Sequence, residues 1–88
     1  MRLQIELADE MVEPFHELKD ICGLRTNKDI FDNAMTLLEW AVGEVQKGNI
    51  IASVNEADNR MVEFQMPALI NVKHRTREAP TERLVNTG

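Results

Sequence analysis

The stretch MRLQIEL, residues 1–7, alternates strictly: Leu3, Ile5 and Leu7 share one side of an extended backbone, and Arg2, Gln4 and Glu6 share the other. That is the period of a β-strand with one apolar and one polar face. A strand needs backbone partners, because a lone one leaves a row of N–H and C=O groups unpaired. The next forty residues are patterned as helices, so the immediate neighbourhood offers none.

From Met11 to Cys22 the apolar positions Met11, Val12, Phe15, Leu18, Ile21 and Cys22 recur at steps of three and four, which predicts an amphipathic helix ended by Gly23. Pro14 is harmless only in a first turn. The helix therefore starts near Met11 or bends at Pro14. Next comes TNKD, with Thr26 as N-cap and Asp29 at the capping-box position. A second helix follows, with Ile30, Ala34, Leu37, Leu38, Ala41 and Val45 on one stripe and Lys47 and Gly48 at its end. Beyond it, NIIASVNEADNRMVEFQMP predicts a hairpin turning around EADN. Ile50, Ala52 and Val54 would share a face with Val62, Phe64 and Met66. The segment 71–88 holds few large apolar residues besides Leu84 and Val85, and is expected to form a mobile tail.

Eighty-eight residues make one small domain, a size at which a single chain's core needs help from disulfides, metal or oligomerisation. Cys22 is the only cysteine, which rules out an intrachain disulfide, and His16 and His74 are too far apart to suggest a metal cluster. Self-association is left. No apolar run has the length of a membrane span and the opening lacks the pattern of a signal peptide, so a cytoplasmic protein is expected. The formal charge of −5 weighs against phosphate binding, yet the acid is concentrated. Asp9, Glu10, Glu13, Glu17 and Asp20 crowd the first helix, whereas VKHRTR near the end carries Lys73, Arg75 and Arg77 without an acid.

Strand, helix, glycine and capped helix within fifty residues resemble the ribbon-helix-helix DNA-binding proteins, the group of the Arc and Met repressors. The resemblance covers residues 1–48 and is carried by LQIEL, by the spacing of Val12, Phe15 and Leu18, and by GLRTNKDI followed by Ala34. It implies an α+β fold: an intertwined ribbon-helix-helix homodimer (1–48), followed here by a C-terminal β-hairpin (49–70) and the tail. In such a dimer the opening strand pairs antiparallel with its copy, and Leu3, Ile5, Leu7, Ile30, Ala34, Leu37 and Leu38 form the dimer core.

The same resemblance implies a function as a DNA-binding transcriptional repressor of a plasmid, phage or small operon. Arg2, Gln4 and Glu6 would read bases in the major groove, which admits a two-stranded ribbon. Arg25, Thr26, Asn27 and Lys28, at the start of the second helix, would hold phosphates through N–H groups, the positive dipole end and charge. Glu6 departs from what a phosphate field favours, although a carboxylate accepts from cytosine N4. Arg2, Arg25 and Lys28 against Glu6 and Asp29 leave this face at +1 per chain.

No nucleophile and base pair, glycine-rich phosphate loop or metal-spaced cluster is visible, so neither an enzyme nor a cofactor is expected. Cys22, on the apolar stripe, is expected to be a buried thiol, and Trp40 to pack against the hairpin or the partner chain. VKHRTR reads as a solvated tail or as an arm along phosphates. Two further readings stay open. In one, residues 49–88 contact a partner protein, as in antitoxins of this fold; in the other, the chain is a dimerisation module without DNA. Tetramer formation is open as well.

Overall fold

A computed structural model describes residues 1–78 of the chain. The order is α1 (Asp9–Ile21), α2 (Asn27–Gln46), β1 (Ala52–Asn55), β2 (Arg60–Glu63) and α3 (Pro67–Glu78). This small α+β arrangement corrects the expected ribbon-helix-helix fold. Helices come first, and the sheet consists of β1 and β2 alone. Residues 1–8 form no strand. Alternation decides which side chains share a face, but a strand exists only as a backbone ladder, and no described segment supplies one to Leu3–Leu7.

The residues divide into two compact units, Met1–Met35 and one beginning at Thr36, with α2 running through both ranges. In the first, Ala8 is extended and α1 starts at Asp9, two residues ahead of the expected start. Asp9 and Glu10 then sit in the first turn, where negative charge is favourable. Pro14 becomes the sixth helical residue, and its missing N–H leaves the Glu10 carbonyl without its helical donor. At the other end Gly23 (φ 67°) donates to Asp20 O at 3.0 Å and Leu24 to Lys19 O at 2.9 Å. These are the paired bonds of a Schellman motif. The motif recurs after α2, where Gly48 (φ 93°) donates to Val45 O and Asn49 to Glu44 O, both at 3.0 Å.

Both glycines adopt the left-handed conformation, and a Cβ added at either meets nothing within 4 Å. The cost of Gly23→Ala or Gly48→Ala is therefore conformational, about 1–2 kcal/mol each. Urea titration at fixed protein concentration should show that destabilisation as a lower midpoint with an unchanged slope. Beside the second cap, the Glu44 carboxylate accepts from Lys47 Nζ and Asn49 Nδ2, both at 3.0 Å. The Lys47 hydrogen bond, and then that of Asn49, hold its pKa below the usual carboxylate value. Whatever this clamp contributes is present above the ordinary carboxylate pKa and fades as the pH falls through the lowered one.

The hairpin is antiparallel and pairs Ala52 with Glu63, Ser53 with Val62, Val54 with Met61 and Asn55 with Arg60. Asn55 and Asp58 knit the turn, the Asp58 N–H donating to Asn55 Oδ1 at 3.3 Å, and Asn59 takes the left-handed φ of 53°. Opposed residues share a face. Ala52, Val54, Met61 and Glu63 thus lie on one side, with Ser53, Asn55, Arg60 and Val62 on the other. The expectation that Val62 would join Ala52 and Val54 is corrected. The turn sets even-numbered residues of β1 against odd-numbered residues of β2, and a shift of one residue exchanges the faces.

Asn71–Glu78, expected in the tail, belongs to α3. Pro67 opens this helix with a φ already suited to it, and Leu69, only 5% exposed, anchors it. Residues 79–88 of the expected tail lie outside the described residues. Ile30 and Ala41 are the other buried apolar residues, against eighteen large apolar side chains that are exposed among the described residues. The described residues thus have little interior and a largely exposed set of apolar side chains.

Candidate nucleic-acid interface

The two rows of the opening segment are both in solvent. Arg2, Gln4 and Glu6 are exposed, and so are Leu3 (56%), Ile5 (63%) and Leu7 (39%). Both sets of side chains are carried by a backbone without regular structure. The other residues expected in a dimer core divide. Ile30 is buried and Leu38 half-buried, whereas Ala34 and Leu37 are exposed.

The start of α2 follows from its cap. Thr26 Oγ1 accepts from the Asp29 N–H at 3.0 Å, so the hydroxyl is engaged in holding the helix end. Asn27 Oδ1 accepts from Lys19 Nζ at 2.9 Å, which ties the end of α1 to the start of α2. Lys19 Nζ also stands 6.0 Å from the centre of the Phe15 ring. Lys28 donates to Asp32 one turn along, an exposed ion pair. That hydrogen bond and the Asp32 charge hold the Lys28 ammonium above its ordinary pKa, so it is charged throughout the neutral range. Arg25 is exposed and makes no side-chain hydrogen bond or ion pair among the described residues.

The four residues expected to hold phosphates are thus gathered within one turn, but they are not equivalent. Arg25 presents an uncommitted guanidinium, Thr26 caps, Asn27 is bonded to Lys19, and Lys28 shares its charge with Asp32. Asp32 is the residue the expectation missed. Its signal was in the sequence, since Lys28 and Asp32 stand four apart on a helix and such pairs meet.

Cys22 is a free, exposed thiol, which corrects the expectation of a buried one. It caps α1 beyond the last full turn rather than facing inward from its stripe. Trp40 is 55% exposed. In the unit beginning at Thr36, a shallow groove of about 90 Å³ is lined by Val45, Ile50, Ile51, Phe64 and Leu69 among others. Asn49, Glu63, Gln65 and Lys73 add polar and charged groups to its lining. No group of three or more potential metal ligands occurs among the described residues. Likewise none of the described helices is long and apolar enough to cross a membrane. No protein-family model, curated protein or solved structure matches the chain.

Proposed function

We propose that the protein is a sequence-specific DNA-binding repressor that works in the cytoplasm as a homodimer. The observation that carries this reading is the exposure of both rows of the opening segment. A second copy associates through the apolar row, and the polar row of Arg2, Gln4 and Glu6 faces outward, toward base edges in a major groove. Arg fits the paired acceptors of guanine and Gln the donor and acceptor of adenine. Arg25 supplies the first phosphate contact, with the α2 N-terminus beside it. The test is binding to double-stranded DNA from upstream of the protein's own gene at several salt concentrations. A specific complex whose affinity falls with salt supports the reading. Equal and negligible binding to that DNA and to random DNA at low salt overturns it.

Lys28 enters as a reserve charge. Releasing it with Asp32→Asn should strengthen binding to both DNAs and steepen the salt dependence by about one unit, as expected when one more phosphate is neutralised. Parallel titrations of wild type and variant at matched salt measure this. A second reading, contact of residues 49–88 with a partner protein, is favoured by the hairpin, on which Val54, Met61 and Val62 are all more than half exposed. Co-purification of a stoichiometric small protein would favour it over DNA binding.

A further inference from the structure

We infer that the opening segment of one chain adds as a third strand to the β2 edge of the hairpin of a second copy. The inference rests on the self-association in the proposed function and not on its DNA contact. A two-stranded hairpin is marginal on its own, and a third strand with an apolar face is one of the two supports, with a packed helix, that stabilise it. Here β1 and β2 are both edges. The Phe64 N–H donates to Ile51 O at 2.7 Å, and opposed residues in an antiparallel pair alternate between bonded and non-bonded. By that alternation Met61 and Glu63 direct their backbone N–H and C=O groups away from β1. Leu3–Leu7 carries the matching backbone groups without a ladder of its own.

Side chains select the edge, the direction and the register. The apolar face of the hairpin holds Val54 (65% exposed) directly opposite Met61 (63% exposed). Placing Ile5 opposite Met61 extends this into the row Ile5, Met61, Val54, with Leu3 opposite Glu63 on the same face. The antiparallel register that does so also sets Glu6 opposite Arg60, an exposed cation without an ion pair among the described residues. Gln4 then falls opposite Val62, and Arg2 opposite the Phe64 ring. Opposite charges and apolar pairs across strands are both favourable. Shifting by two residues in either direction keeps the apolar face but separates Glu6 from Arg60. A parallel strand that kept this charge pair would run residues 1–5 past the turn. The β1 edge carries Ser53 and Asn55 on the polar face and offers no charge to Glu6.

Each copy owns one segment and one hairpin edge, so two copies have the two contacts that a reciprocal two-fold exchange requires. The exchange sets Ile5, Met61 and Val54 side by side in one apolar row across a three-stranded sheet. The polar row stays on the outer face, beside Ser53, Asn55 and Arg60. This is strand addition to a sheet edge, in which the main chain supplies affinity and alternate side chains supply specificity.

The test uses full-length protein with Cys22→Ser to remove the exposed thiol. Ile5→Cys and Met61→Cys are made separately, mixed and oxidised. Ile5 and Met61 would form a hydrogen-bonded pair whose Cα atoms lie about 5.5 Å apart, within the span a disulfide bridges. Covalent dimer containing one of each variant is the expected product. Dimer formed by Ile5→Cys with itself overturns the inference, since opening segments would then pair with each other, and leaves the DNA reading standing. A monomer-sized disulfide in the double variant, or no cross-link, overturns it as well. Charge reversal is the independent measure: Glu6→Arg or Arg60→Glu alone should raise the dimer dissociation constant about two- to fivefold, and the two together should restore it. If the combined variant is no tighter than the singles, the register is wrong.

Discussion

Raising the protein concentration tenfold is expected to raise the thermal midpoint by about 3–5 °C, and Ile5→Asp to abolish that dependence. Folding linked to dimerisation gains about 1.4 kcal/mol per tenfold concentration, which converts to a shift of that size for a dimer of two such chains. The substitution separates dimer from monomer cleanly because Ile5 is 63% exposed in the single chain. In a monomer an aspartate there meets water and costs little. In the dimer it becomes an unpaired charge against apolar neighbours, which weakens association by about 3 kcal/mol or more, over a hundredfold in the dissociation constant. Calorimetry across a hundredfold concentration range, with sedimentation of both proteins, measures it. A folded wild-type monomer at micromolar concentration with a constant midpoint would refute self-association.

Features set by a few adjacent residues are legible in the sequence. Gly23 and Gly48 mark helix ends because a left-handed cap is a local demand that glycine meets at least cost, and Thr26 marks a helix start for a similar reason. The absence of the opening strand is not legible, because an alternating pattern reports which side chains agree and not where a backbone partner lies. Hairpin faces fail for a finer reason. The turn Glu56–Asn59 fixes parity, because four residues between the paired Asn55 and Arg60 set even-numbered against odd-numbered positions whatever the apolar pattern favours. Helix α3 is hidden by its composition. Its apolar residues Leu69, Ile70 and Val72 lie at its start, and the basic run after them reads as a tail when taken alone. Among the candidate site residues, the gathering of Arg25 to Lys28 follows from adjacency. Their different engagements do not, since Lys19 reaches Asn27 only once Gly23 has turned the chain.

Substitutions at the opening segment and at the start of α2 should differ in kind on DNA. If Gln4 meets a base edge, Gln4→Ala loses about 1–3 kcal/mol on the specific site and little on random DNA. Arg25→Ala removes a guanidinium that has no competing partner among the described residues. It should weaken both DNAs alike and lower the salt slope by about one unit for each phosphate no longer neutralised. Lys28→Ala acts in the same direction but less strongly, because Asp32 already offsets its charge. Glu6→Gln discriminates further. At protein concentrations that keep the dimer intact, removing a carboxylate that faces phosphates strengthens binding to random DNA, and binding to the specific site gains less if that carboxylate accepts from cytosine. Fluorescence titrations of the four variants against both DNAs, at three salt concentrations, separate these outcomes. Arg25→Ala with an unchanged salt slope would remove the α2 N-terminus from the interface. Unchanged affinity for Gln4→Ala and Glu6→Gln would remove the opening segment, leaving its polar row as the solvated face of an association surface.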